Sequence, residues 1–172
     1  MSERRTIYRG RKLDLALQPV TLADGSTADR EVVLHRGAVA LLAMVDDDHV
    51  CLLENYRYSV GRSLWEIPAG TIDPGETPDS TAPRELAEET GYRAGSITKL
   101  ADWLVSPGLF TERMHLYLCR DLTPGPTEHQ PDERMTVHVV PWLDALTMVD
   151  DGRIDDAKTI LALLLWERRR GI

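Results

Sequence analysis

Residues Arg84 to Gly91 read RELAEETG, three glutamates and an arginine in six positions before a glycine. On a helix Glu85, Glu88 and Glu89 stand at i, i+3 and i+4, so their carboxylates share one face. Like charges at that spacing cost a few tenths of a kcal/mol per pair, on the order of 0.3 each. Gly91 reads as the residue just past the helix end, which places the acids in the last turn, where the macrodipole also disfavours them. A solvated charged face is the ordinary account of such an octet. The alternative is chemical: clustered hard-oxygen donors hold divalent cations such as Mg2+ or Mn2+.

A helix of this kind needs elements to carry it. The chain has 172 residues, 42% of them apolar, which fits one globular core. A formal charge of −8 argues against a general nucleic-acid or membrane-surface binder, so an anionic substrate would need local arginines or a metal. Cys51 and Cys119 lie in apolar strand-like runs and read as buried free thiols. No signal-peptide-like segment opens the sequence, and the longest apolar run, Ile160 to Trp166, is too short to span a bilayer. A soluble cytoplasmic protein is the expectation.

Leu13, Leu15 and Leu17 alternate with Asp14, Ala16 and Gln18 in a period-2 strand pattern, and Ala23 to Ser26 supply a turn before a second strand near Arg30 to Leu34. GAVALLAMV and HVCLLENYR flank Asp46 to Asp48, which reads as a hairpin with an acidic, solvated tip rather than a calcium loop. LWEIP is a further strand, followed by a Gly/Pro loop into the glutamate helix. Pro83 predicts a helix start near Ser80 or Thr81, keeping the proline in the first turn. Strands are expected around Ile97 to Leu104, Met114 to Cys119 and Val137 to Val140, with a polar, proline-rich loop between the last two. DDAKTILALLLWERRR closes the chain as a helix with acids at its start and Arg168 to Arg170 at its end. Strands, helix, strands, helix make the class α+β or mixed-sheet α/β.

The glutamates also have fixed partners upstream. Gly70 is followed by five residues and Glu76, then by seven residues and Arg84-Glu85-Leu86, Ala87, Glu88-Glu89, Thr90, Gly91 and Tyr92. This resembles the Nudix box at every fixed position, with Tyr92 a conservative match at its last apolar one. The resemblance implies a Nudix α/β/α sandwich with a mixed sheet and a metal-dependent site that cleaves a diphosphate. It implies Glu85, Glu88, Glu89 and the Ala69 backbone carbonyl as ligands for Mg2+ or Mn2+. Arg84 then orients a glutamate, and Glu76 braces the loop.

The likeness extends beyond the box. Pro107 stands fifteen residues past Tyr92 in VSPGLFTER, the place where a proline marks the ADP-ribose pyrophosphatase branch of the family. ENYRYSVGRSLWEIPAG is similar to that branch, with Arg57 matching its phosphate-contacting arginine, and REVVLHRGAVA resembles its adenine-contacting segment, which points to Arg30 and Glu31. The closing helix is similar to one shared with GDP-mannose pyrophosphatases. The resemblance implies hydrolysis of ADP-ribose to AMP and ribose 5-phosphate. The alternatives are another nucleoside diphosphate sugar such as GDP-mannose, or a nucleotide-sensing module without turnover. Glu128, Asp132 and Glu133 in the loop PTEHQPDER are candidates for the base, with Glu133 favoured. Residues 1–35 are expected as strands serving dimerisation and the adenine pocket of a homodimer, and residues 36–172 as the Nudix hydrolase domain.

Overall fold

The computed structural model describes residues 4–128 and 134–170. Three strands, β1 (Arg5–Arg9), β2 (Leu13–Thr21) and β3 (Thr27–His35), form an antiparallel sheet of their own at the start of the chain. β4 (Ala38–Ala43), β7 (Ala69–Thr71), β8 (Arg93–Leu104) and β9 (Arg113–Thr123) form a second sheet in the order β7-β4-β9-β8. β4 and β9 run parallel and the other pairs antiparallel, so the sheet is mixed. β5 (His49–Arg57), β6 (Arg62–Glu66) and β10 (Met135–Pro141) form a third, antiparallel sheet in the order β10-β5-β6. The helices are α1 (Pro78–Thr90), α2 (Trp142–Asp150) and α3 (Ala157–Arg170). Among the described residues no helix is long and apolar enough to cross a membrane.

β4 explains the layering. All six of its residues are buried, as expected of a parallel strand covered on both faces. Its alternate side chains serve two cores. Ala38, Ala40 and Leu42 pack with Trp142, Ala145, Met148 of α2 and Ala162, Leu163 of α3. Val39, Leu41 and Ala43 pack with Ala82 and Leu86 of α1. Helices therefore cover both faces, an α/β/α arrangement.

Three expectations are corrected. The segments flanking Asp46 to Asp48 are not one hairpin: β4 has β7 and β9 on its two edges, so the chain leaves it after a single bridge between Met44 and Val50, and β5 enters a different sheet. α1 begins earlier than Ser80, because Thr77 and Ser80 close a reciprocal capping box with Pro78 in the first turn. Pro83 is thus inside the helix, on its exposed side, where the missing N–H costs one backbone bond. α2 was not anticipated. Gly91 ends α1 in the left-handed conformation at φ 74°, as its position predicts. Cys51 and Cys119 are buried free thiols, and burial pushes both up to about 12.

Candidate active site

The capping box fixes the register of α1, and the apolar side of that helix, Ala82 and Leu86, faces the core. The opposite side then presents Arg84, Glu85 and Glu88 together, with Glu89 buried at the helix edge. Arg84 is the hub. Its Nε and Nη2 donate to Glu76 at 2.8 and 2.9 Å, its Nη1 donates to Glu88 at 3.0 Å and pairs with Glu85 at 2.9 Å. One guanidinium thus offsets the repulsion that the sequence crowds into this turn. The hydrogen bonds from Arg84, with a second from the Thr81 hydroxyl at 2.8 Å, hold the Glu76 carboxyl down to about 2. Glu76 also accepts from the Asp73 amide at 3.3 Å, so it braces the loop ahead of the helix as its position implied.

The segment Glu66 to Gly70 meets α1 at Ala69 and Gly70. The Ala69 amide donates to Glu89 Oε2 at 2.8 Å. Gly70 lies directly against Glu85: a Cβ there would stand 1.9 Å from the carboxyl carbon and 2.1 and 2.2 Å from its oxygens. Only a backbone without a side chain leaves room for that carboxylate. The donors around this cradle are all hard oxygens, the set that Mg2+ and Mn2+ take. Among the described residues no three His, Cys, Asp or Glu side chains converge as a finished cation cage. Arg84 supplies compensating charge to Glu85 and Glu88 in this arrangement.

Arg57 sits beside this cluster. It binds Glu66 bidentately, with Nε at 2.7 Å and Nη2 at 2.5 Å from the two carboxylate oxygens. That pairing first, and the charges of Glu89 and Asp156 after it, raise the Arg57 pKa. Glu66 is 1% exposed and also accepts from Lys158 of α3 at 2.6 Å. Burial alone would raise this carboxyl, yet Arg57 and Lys158 draw it below its ordinary range. Neither Glu66 nor Lys158 was singled out from sequence. The signals were an acid inside the apolar run LWEIP, which demands a partner when buried, and a cation in the first turn of a helix, against the dipole.

The remaining sequence candidates fall elsewhere. Arg30 and Glu31 are exposed neighbours on β3, so they project to opposite faces of the N-terminal sheet. Pro107 lies in an exposed turn whose end docks on the same strand: Val33 donates to Leu109 O at 2.9 Å and accepts from Thr111 N at 3.0 Å. The Pro107 turn and β3 are thus one unit. Glu128 is exposed, and its amide donates to the Glu88 carbonyl at 2.9 Å, which anchors the start of its loop on the end of α1. Asp132 and Glu133 lie outside the described residues.

Residues 34–163 match the NUDIX domain family. The ADP-ribose pyrophosphatase of Bacillus subtilis (strain 168) is 39% identical over 159 residues, covering 91% of this chain and 86% of its own length. The GDP-mannose pyrophosphatase of Pectobacterium atrosepticum is 40% identical over 106 residues, covering 58% of this chain and 53% of its own. A crystal structure described as an ADP compounds hydrolase superposes with a TM-score of 0.84 at 26% identity, covering 99% of this chain and 94% of that one.

Proposed function

The chain belongs to the Nudix family, and from that premise we propose that it hydrolyses the diphosphate of ADP-ribose to AMP and ribose 5-phosphate. The observation that carries the chemistry is the carboxylate face of α1 laid against the side-chain-free backbone of Gly70. Nudix hydrolases generally need a divalent metal, and we assign Mg2+ or Mn2+. Glu85, Glu88, Glu89 and the Ala69 carbonyl would hold it. The chemistry such an ion would supply there is neutralisation of charge on the diphosphate and activation of a water. Arg84, fixed by Glu76, aims Glu85 and Glu88. Arg57, fixed by Glu66, offers a guanidinium beside the cluster to a phosphate oxygen. We assign the proton acceptor to the loop after β9, with Glu133 before Glu128 and Asp132.

The substrate assignment rests on extent of likeness: the ADP-ribose pyrophosphatase aligns over 91% of the chain and the GDP-mannose pyrophosphatase over 58%. Adenine selection falls to Glu31 and Arg30 of β3, and the distal ribose to the turn around Pro107. Because those two residues point to opposite faces of the sheet, one pocket can use both only if a second protomer supplies part of the site. We therefore assign a homodimer built through residues 1–35. Its support is a set of exposed apolar side chains on that sheet: Ile7 is 51%, Tyr8 60% and Leu13 41% exposed.

Steady-state kinetics with Mg2+ test the reading. The expected kcat/KM for ADP-ribose exceeds that for GDP-mannose by about a hundredfold, since a site built to bond one base rejects another by orders of magnitude. Equal values would overturn the ADP-ribose assignment and leave the family chemistry standing. Light scattering should give twice the mass of one chain, and a fully active monomer would remove the dimer.

A further inference from the structure

Five consecutive residues, Glu66 to Gly70, lead to the backbone that meets α1 at Ala69 and Gly70, and each is tied to something different. Glu66 takes Arg57 and Lys158. Ile67 N donates to Thr159 Oγ1 at 2.9 Å, a fully buried bond across 92 positions of sequence. Pro68 O accepts from Leu41 N at 2.8 Å. Ala69 N donates to Glu89, and Gly70 abuts Glu85. The ties from Glu66 and Ile67 end on the first turn of α3, far from the box in sequence.

That first turn is itself locked. Asp156 caps α3, accepting from Thr159 N at 3.0 Å, from Thr159 Oγ1 at 2.6 Å and from Lys158 Nζ at 3.0 Å. Thr159 is fully buried and uses its hydroxyl twice, donating to Asp156 and accepting from Ile67. The route from Asp156 to Ala69 is therefore one bond between side chains, one bond from the Ile67 amide to the Thr159 hydroxyl, and two residues, of which Pro68 has a fixed φ. A shift of the Thr159 hydroxyl is transmitted to Ala69 with little slack, while Arg57, at the end of β5, is tied to Glu66 through its side chain.

We infer that Thr159 and Asp156 are positioning residues for the metal site, setting the height of the Ile67 to Gly70 backbone against Glu85 and Glu89. The inference rests on the metal reading given above for that site. A capping role alone would stabilise α3 and leave metal affinity where it was; a positioning role moves the affinity.

Thr159→Val keeps the shape and removes the hydroxyl, and Thr159→Ser keeps the hydroxyl. Mn2+ binding is read directly from the electron paramagnetic resonance signal of the free ion, alongside kcat and melting temperature. Met148→Ala, in the core of α2, serves as a variant of comparable lost stability whose side chain makes no hydrogen bond to this backbone. Thr159→Val should weaken Mn2+ binding by about tenfold, as loss of an outer partner of a metal site does. Thr159→Ser should restore it, and Met148→Ala should leave it unchanged. Mn2+ affinity equal in Thr159→Val and the parent, or weakened equally by Met148→Ala, overturns the inference, as does failure of Thr159→Ser to rescue. A parent that takes up no Mn2+ overturns the metal reading itself, and the inference with it.

Discussion

The backbone amide of Ala69 donates to Glu89 Oε2 at 2.8 Å, so the first residue of β7 and a residue near the end of α1 share one half-buried hydrogen bond. Glu89 thereby holds β7 on α1, and in the proposed site it would also offer an oxygen to the cation.

Glu89→Gln separates them. The amide oxygen still accepts from Ala69, so the fold should survive with a melting temperature close to that of the parent. Loss of the negative charge should lower kcat on the order of a hundredfold. Turnover within threefold of the parent would remove Glu89 from the metal set. Chelation by EDTA should silence the parent, with Mg2+ or Mn2+ restoring it.

Gly70→Ala and Gly91→Ala should fail in opposite ways. At Gly70 the new methyl meets the far end of the Glu85 side chain, which can swing aside. The variant should stay folded and lose activity by roughly tenfold or more, as a ligand pushed out of place does. At Gly91 the methyl would stand 2.3 Å from the Gly125 carbonyl oxygen, at a positive φ of 74°. Backbone has nowhere to go, so the melting temperature should fall and loop 124–128 should loosen. Circular dichroism melts and initial rates on the pair check this. Equal stability in the two variants would contradict it.

The box was legible because its chemistry is local: Glu76, Arg84, Glu85, Glu88 and Glu89 lie within a loop and one helix, and spacing alone puts them together. Within that stretch Arg84 also pairs with Glu76, a contact that spacing did not announce. What sequence could not show are contacts that close over long separations. Glu66 and Lys158 meet across 92 positions, and no periodicity links them. The hairpin expected around Asp46 to Asp48 failed for a similar reason, since both edges of β4 are claimed by strands that come later. α2 had local signals in PWLDALTMVDDG, namely spaced apolar residues ending at a glycine, that went unread. The leucines of β2 alternate as a strand requires, yet Ala16 on the other face is the fully buried residue, while the leucine side is only partly covered among the described residues: Leu15 and Leu17 are half-buried and Leu13 is 41% exposed.

Glu66→Ala should be among the most damaging single changes outside the box. It leaves Lys158, nearly buried, and Arg57 without their shared anion. Removing one partner of a buried pair costs about 3 kcal/mol. For a chain of this size that lowers the melting temperature by roughly 6 to 12 °C. Adding Lys158→Ala should recover part of the loss, because the nearly buried cation, left with Asp156 as its anion, goes with it. A single-variant loss below about 1 kcal/mol would show that the cations find other partners.

The Glu76 carboxyl gives the site a pH signature. Hydrogen bonds from Arg84 and then Thr81 hold its pKa down to about 2, against an ordinary value of 4.5. A carboxyl lowered on folding stabilises the native state above its unfolded pKa, and that contribution is lost as pH falls through the folded value. The window is therefore pH 4.5 down to about 2. Glu76→Gln has no proton to take up, so its stability should fall less steeply across this window than that of the parent. The gap between the two melting temperatures should be widest near pH 5 and should close toward pH 2. Melts at half-unit pH intervals measure the gap. A gap that stays constant with pH would mean that Glu76 contributes shape alone, and that Arg84 is held in place by Glu85 and Glu88 without it.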